Sequence, residues 1–502
     1  MTETVATAQQ PPLLPTEERG ARVFRNFSAL AGGQLVTWTM TLLWTLVVPR
    51  ALGPAGLGLV VSALSVTGVI SIVLALGTRN YLVREMVVDS SQAGTLVGTA
   101  VVLRLVLAPL VIVAVAGYAH FAGMGHEGKI VLYLVGVYTV LTLLAEPMQA
   151  GFQAVERMQY LAYSDIINKG AQSLLGIAVV LAGFRATGVA LSMAVVAVAV
   201  VVLNSVWIRR FIAIDLRTSL LQLWRMVRES IAYWAFAVFA MLYLWIDTIM
   251  LSLMTRSEVV GWYGAPVRLF QTLMFLPVLL STAWLPGLVN AFGEGEDALR
   301  RAARKPVELV LMLSAPMAAG TAMIAGSVVP VLYGGAYRHA VPVMILLGLC
   351  LPPMYLNIML SNILIAAKRQ ASWTWVMVAA TIVNPIFNVI LIPATQNRYG
   401  NGAIGAALSL LLTELVLASL GFAIAGRGVF DRGSIRRCGL TVLASASMWF
   451  AGYESRFAGP LGSTAIGVSV FVVLVFALRL PTPEETAFLR ARLTALRRLA
   501  SF

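Results

Sequence analysis

Residues 187–207 read TGVALSMAVVAVAVVVLNSVW, a run of small, β-branched and aliphatic side chains without one charge. A helix rises about 1.5 Å per residue, so this run is about 30 Å long, the depth of a bilayer's hydrocarbon core. Working outward, similar runs bounded by charges, Gly and Pro recur along the chain. They predict spans near 27–49, 57–78, 93–117, 130–150, 160–183 and 187–207, then 229–253, 259–289, 306–332, 341–366, 371–393 and 402–425, with a further pair near 437–453 and 461–480.

Composition agrees. The 502 residues are 59% hydrophobic and 12% charged, with a mean hydropathy of +0.86, whereas soluble domains carry about 25% charged residues. At about 20 apolar residues per crossing, the length holds roughly 12 to 14 spans and no large soluble domain. The expected fold class is therefore an all-α polytopic membrane protein of about 14 transmembrane helices. The two cysteines, Cys350 and Cys438, and three histidines suit neither a disulfide framework nor a metal site, and no cofactor is expected.

Orientation follows from the basic residues. With a cytosolic N-terminus, 26 of the 36 lysines and arginines fall in cytosolic segments and three in spans. The remainder are Arg50, Lys129, Arg185, Arg256, Arg338, Arg398 and Arg456. That is the asymmetry of a multi-pass protein of the cytoplasmic membrane with both termini inside. The net charge of +14 is then a topology signal and calls for no nucleic-acid partner.

The first and second sets of six spans look like copies. Ala154-Val155-Glu156-Arg157-Met158 precedes a GVALSM segment at Gly188–Met193, as Ala366-Ala367-Lys368-Arg369-Gln370 precedes GAALSL at Gly405–Leu410. Asn168 and Asn384 fall between at matching depth, and Gly58 after span 1 has its counterpart in Gly261 after span 7. Sets of even number make a parallel repeat, with a shared cavity between halves. The expected organisation is a cytosolic tail over 1–26, six-helix bundles over 27–207 and 229–425, a linker over 208–228, the extra helix pair over 426–480 and a basic tail over 481–502. Leu216, Leu220, Leu223 and Val227 predict an amphipathic surface helix in the linker, and Leu489, Leu493 and Leu496 another in the C-terminal tail.

Ionisable groups inside spans are costly and usually face a cavity or a partner. They are Arg104, Glu146, Asp165, Lys169, Asp247, Arg268 and Glu414. Asp165 and Lys169 are spaced as an i,i+4 pair near the cytosolic end. Asp247 and Arg268 lie at similar depth on consecutive helices, where a salt bridge is one expectation and independent cavity roles the other. Polar stripes mark candidate cavity faces: Gln34, Thr37, Thr41 and Thr45 in span 1; Tyr233, Ala240, Tyr243 and Asp247 in span 7; Gly264, Arg268 and Gln271 in span 8.

These residues lie in a sequence that resembles the polysaccharide-type flippases of the multidrug/oligosaccharidyl-lipid/polysaccharide exporter superfamily, over essentially its whole length. The resemblance rests on the order and spacing of several segments: Pro49-Arg50-Ala51-Leu52-Gly53-Pro54-Ala55-Gly56-Leu57-Gly58; Leu82-Val83-Arg84-Glu85; Gln153–Met158; Trp245-Ile246-Asp247-Thr248-Ile249-Met250-Leu251 running to Gly261-Trp262-Tyr263; Leu332–Tyr337; and Asn384-Pro385 to Gly405. The extra pair departs from the commonest twelve-span form and is similar to fourteen-span members, including peptidoglycan-precursor flippases.

The resemblance implies a non-enzymatic transporter with two rocking six-helix bundles around a cavity lined by spans 1, 2, 7 and 8. Its cargo would be a polyprenyl-diphosphate-linked glycan, with a polysaccharide polymerase or glycosyltransferase as possible partners. Arg104 and Arg268 would face the diphosphate, since guanidinium pairs with phosphate oxygens in a bidentate way. Gln34, Thr37, Thr41, Tyr243, Asp247 and Gln271 complete the expected cavity set, and Asp247 or Glu414 would carry a coupling proton. Two rivals remain: a cation-coupled drug antiporter of the same superfamily, which would want acidic residues in the first-half cavity, and a membrane-embedded glycosyltransferase or ligase, which would need a large loop bearing carboxylates or histidine.

Overall fold

The computed structural model describes residues 16–426, 428–429 and 431–481, and their side chains except those of 16–36, 38, 232, 233, 235–237 and 240. Gln34, Tyr233, Ala240 and the C-terminal amphipathic segment fall outside the described side chains or residues. Among the described residues all regular secondary structure is helical. The first half comprises α1 (Thr16–Ala75), α2 (Thr78–Val88), α3 (Ala93–Phe121), α4 (His126–Ala154), α5 (Met158–Ile166), α6 (Gln172–Leu181) and α7 (Ala186–Ile208). The second comprises α8 (Leu220–Met254), α9 (Ser257–Leu273), α10 (Phe275–Gly293), α11 (Glu296–Tyr333), α12 (Val341–Ala366), α13 (Gln370–Tyr399) and α14 (Gly402–Ala425). The last pair is α15 (Arg432–Glu454) and α16 (Gly459–Ala477).

Ten stretches among the described residues are long and apolar enough to cross a membrane. One runs over Thr39–Val88, broken at Gly53 and again at Leu76–Gly77, and another over Arg432–Ala477, broken at Ser455–Ala458. In the first, Gly53 adopts φ 67° between Pro49 and Pro54, a left-handed conformation that glycine tolerates without a steric penalty. On α7, Leu191, Val195, Val198, Val202 and Val206 are each about half exposed, while Val189, Met193, Val196 and Val200 are buried. An apolar stripe left open on an apolar helix is what a lipid-facing helix requires.

The halves meet where α1 crosses α9. A Cβ on Gly58 would lie 1.7 Å from the Ser257 carbonyl oxygen, and one on Gly261 would lie 2.0 Å from that of Pro54. The contact is reciprocal: each glycine abuts the residue four positions before the other. The two turns compared in the sequence also share one cap. Glu156 and Lys368 both have positive φ, 56° and 59°. The N–H of Arg157 bonds the Phe152 carbonyl at 2.9 Å, and that of Arg369 bonds Leu364 at 2.7 Å, the long-range bond of a Schellman-type helix end.

The linker departs from expectation. Residues 209–219 contain no helix, and the helix that begins at Leu220 runs without interruption into the spanning part of α8. The reason lies opposite it: Gly94 and Gly98 on α3 leave room for the linker backbone, since a Cβ there would meet the carbonyls of Ala213 at 2.1 Å and Asp215 at 1.7 Å. The Asp215 N–H donates to the Gly94 carbonyl at 3.2 Å, so the backbone is satisfied in an extended form. Ser219 and Gln222 then start α8 with a reciprocal capping box. The α15–α16 pair packs on α11, where Glu308 accepts from Arg437 at 2.6 Å and from the Ser434 hydroxyl. Asp431 caps α15 by accepting from the Ser434 N–H at 2.7 Å, and that bond holds its carboxyl below the usual range.

Candidate functional site: a cationic cavity between the halves

A cavity of 380 Å³ lies between the halves. Its first-half wall carries Thr67, Gly68 and Ser71 of α1 and Tyr138, Thr139 and Thr142 of α4. Its second-half wall carries Trp245 and Thr248 of α8 and Gly264, Arg268 and Gln271 of α9. Close helix approach shapes it: a Cβ on Gly68 would come within 3.1 Å of the Trp245 indole nitrogen, and one on Gly264 within 2.9 Å of Val61. Among the described residues no carboxylate lines the cavity, and Arg268 is the one charged residue there.

The Arg268 guanidinium sits 4.2 Å above the Trp44 ring. Among the described residues it has no carboxylate or hydrogen-bond partner, so its five donors point to a cavity that offers no counter-ion. A cation–π contact is worth only about 0.5–2 kcal/mol and supplies no acceptor. A larger groove of 870 Å³ lies beside the linker, but its lining includes Glu156 and Asp215 and no cation, so its charge is wrong for an anionic ligand.

Of the two expectations for Asp247 and Arg268, the salt bridge does not form, and Asp247 does not face the cavity either. Asp247 points away from the cavity into the second bundle, where it accepts from Asn388 Nδ2 at 2.6 Å and from the Tyr263 hydroxyl at 3.3 Å. Asn388 also donates to Asn384 Oδ1 at 2.8 Å. Depth along neighbouring helices was compatible with a pair; the rotation of α8, which turns Trp245 and Thr248 to the cavity, carries Asp247 to the other side. Glu414 is likewise only 2% exposed. It accepts from the Tyr243 hydroxyl and from Asn357 Nδ2, the latter at 2.7 Å. Tyr243, expected in the cavity, thus serves this buried network.

Arg104 is also removed from the cavity. It is 3% exposed and donates to the carbonyls of Leu74 at 2.7 Å and Ala75 at 2.8 Å, to Thr78 Oγ1 at 2.6 Å and to Glu146 Oε2 at 3.0 Å. Its acceptors exist because the helix breaks at Leu76 and Gly77, both with positive φ, which frees the carbonyls that end α1. Asp165 and Lys169 straddle the α5 boundary with the π segment Ile167–Ala171, and no ion pair joins them among the described residues.

Of the span 1 stripe, the described residues Thr37, Thr41 and Thr45 do not line the cavity either. Thr37 is buried, Thr41 is exposed, and Thr45 donates to the Thr41 carbonyl at 2.8 Å, a local bond that threonines commonly make in membrane helices. Span 1 contributes Trp44 beneath Arg268, while α4, outside the expected set of cavity helices, supplies a wall. Of the expected cavity residues, Arg268 and Gln271 are brought together. The i,i+4 pairs Thr67/Ser71 and Tyr138/Thr142, each polar on an apolar helix, were the signal available for the residues that the sequence reading passed over.

Comparison with known proteins accords with this architecture. A sequence profile described as polysaccharide biosynthesis protein matches residues 23–292. Searching curated protein sequences finds no match. Among solved structures, the lipid II flippase MurJ in an inward closed conformation aligns with a TM-score of 0.71 at 14% identity, over 89% of this chain and 98% of that one. An inward-facing multidrug resistance MATE family transporter of the MOP superfamily aligns with a TM-score of 0.62 at 14% identity, over 80% and 95% of the two chains. The eukaryotic MATE transporter AtDTX14 aligns at 0.53 and 16%, over 85% and 99%. At these identities the likeness concerns the fold, which is shared with polytopic transporters and flippases. The profile covers more than half of the sequence, and the chain belongs to the polysaccharide biosynthesis protein family.

Proposed function

We propose that this protein is a flippase that carries a polyprenyl-diphosphate-linked glycan precursor across the cytoplasmic membrane for surface polysaccharide or cell-envelope synthesis. The observation that carries the reading is Arg268, an unpaired guanidinium in an acid-free cavity between two helical halves. A diphosphate supplies the missing counter-charge, and its lipid tail remains in the bilayer while the headgroup enters between helices. In this reading both termini are cytosolic, the chain makes fourteen crossings, and the two sets of six form a parallel repeat whose rocking gives alternating access.

The reciprocal Gly58/Gly261 contact is then the seam that closes the outward end. Tyr337 supports it by donating to the Pro49 carbonyl at 2.8 Å, as does Arg50 by donating to that of Val331 at 3.3 Å. Asp247 and Glu414, buried within the second bundle, are the groups placed to take up a coupling proton away from the cargo. The antiporter alternative would bind cationic substrates, for which a lone arginine in an acid-free lining is the wrong charge. The test is flipping of a polyprenyl-diphosphate glycan in proteoliposomes by the wild type and Arg268→Ala, each normalised to folded protein. Equal flipping by both would end this assignment.

A further inference from the structure

The polar groups on the two cavity walls differ in what they have left to offer. On the first-half wall the four serine and threonine hydroxyls of α1 and α4 have each spent their proton on their own helix. Thr67 donates to the Ala63 carbonyl at 2.8 Å, Ser71 to Gly68 at 2.7 Å, Thr139 to Val135 at 2.8 Å and Thr142 to the Thr139 carbonyl at 2.8 Å. A hydroxyl has one proton and two lone pairs, so these four face the cavity as acceptors. On the second-half wall the supply is reversed. The Arg268 guanidinium, the Gln271 amide and the Thr248 hydroxyl make no hydrogen bond among the described residues, and their donors are free.

Phosphate oxygens only accept, whereas sugar hydroxyls donate. An anionic headgroup against the first-half wall would place its oxygens beside oxygen lone pairs, and turning each hydroxyl round would strand a helix carbonyl it now satisfies. Against the second-half wall the same oxygens meet N–H and O–H groups, with charge assistance from Arg268. We infer that the cavity binds its cargo in one orientation: the diphosphate on Arg268, Gln271 and Thr248, and the first sugar across the cavity with its hydroxyls donating to Thr67, Ser71, Thr139 and Thr142. At 380 Å³ the cavity is near the small end of the about 300–1,000 Å³ usual for small-ligand sites. It holds the diphosphate and its proximal sugar, and the rest of the glycan extends beyond it. The inference rests on the flippase reading and adds that the proximal sugar is itself recognised.

The experiment measures binding of three lipids to purified, nanodisc-reconstituted protein: undecaprenyl diphosphate alone, and the same lipid bearing one N-acetylglucosamine or one galactose. The wild type is expected to bind at least one sugar-bearing lipid more tightly than the bare lipid. Ser71→Ala combined with Thr142→Val keeps size and apolar packing while removing two acceptors. It should weaken binding of the preferred sugar-bearing lipid by roughly tenfold and of the bare lipid by less than about twofold. Arg268→Gln should weaken all three. Thermal unfolding of each variant confirms that folded protein is compared. An equal effect of the double variant on all three lipids, or none on any, overturns the proposed orientation while leaving the flippase reading in place. Failure of the wild type to bind any of the three overturns both.

Discussion

Two arginines lie inside the helical bundles, and their surroundings are opposites. Arg104 has carbonyl, hydroxyl and carboxylate acceptors around it, at 2.6 to 3.0 Å. Arg268 has an aromatic ring beneath it at 4.2 Å and no acceptor among the described residues. Both are costly to bury. In the first case the cost is offset within the fold, because the arginine spans a helix break and donates to the carbonyls, hydroxyl and carboxylate gathered there. In the second it is left for something that enters the cavity. The role of a charge in a membrane helix is told by how much of its hydrogen-bonding capacity the protein itself fills.

Breaking the comparison at Arg104 should produce the largest effect. Arg104→Ala removes the partner of the partly exposed Glu146 and the side-chain donor to the Leu74 carbonyl, while Ala75 keeps the Thr78 hydroxyl, at a cost of about 3 kcal/mol, the low end for a buried pair. The yield of folded protein and its thermal unfolding temperature should fall together, with flipping per folded molecule little changed. A stable but inactive Arg104→Ala protein would place this arginine with the cargo instead. The second effect is on transport. Arg268→Ala should reduce flipping at least tenfold while changing stability by no more than about 1–2 kcal/mol, the worth of the Trp44 contact. Arg268→Lys should fall between, because it keeps the charge and loses the bidentate fork. Loss of folded protein in step with loss of flipping would make Arg268 a brace like Arg104.

A third change sharpens the contrast between a fixed brace and a cavity that must open and close. Gly58→Ala puts a methyl where the Ser257 carbonyl oxygen lies 1.7 Å away, so the seam cannot close as it does here. Thiol labelling of a cysteine placed at Ser257 should rise severalfold and flipping should fall, while the Arg104 cluster is untouched. Unchanged labelling would show that the seam is not a gate. The smallest effect is expected at Lys368, which touches neither arginine. Its φ of 59° is a left-handed conformation that costs a non-glycine residue about 1–2 kcal/mol. After the backbone entropy of glycine is counted, Lys368→Gly should stabilise the protein by roughly 0.5 kcal/mol, raising the unfolding temperature slightly with flipping unaltered.

Much of the architecture was legible from hydropathy, because a bilayer demands apolar length and internally satisfied backbone whatever the tertiary arrangement. The matched turns at Glu156 and Lys368 and the glycines Gly58 and Gly261 were visible as recurring residue types. Arg268 and Gln271 could be chosen for the cavity from a polar stripe on one helix. The Asp247–Arg268 pairing failed because depth constrains position along a helix axis but leaves rotation about it open. The role of Arg104 was hidden because its acceptors are backbone carbonyls, exposed only by a break at Leu76 and Gly77 that the apolar run does not announce. The linker misled in a similar way. Leucines at helical spacing suggested a helix across 208–228, while the glycines that admit an extended chain lie more than a hundred residues earlier, at Gly94 and Gly98.

The sequence by itself determined that this is a helical membrane protein of many crossings, which residue types recur between its halves, and which charges would need an explanation. Those features depend on composition and spacing along one chain, where the apolar solvent acts on each segment separately. Only the tertiary structure decided which charge is a brace and which is left open, which face of each helix meets the cavity, and where hydroxyl protons are committed. Those depend on helix rotation and on backbone groups brought together from distant segments, and a hydrogen bond a few tenths of an ångström or a few degrees out of place is no longer made.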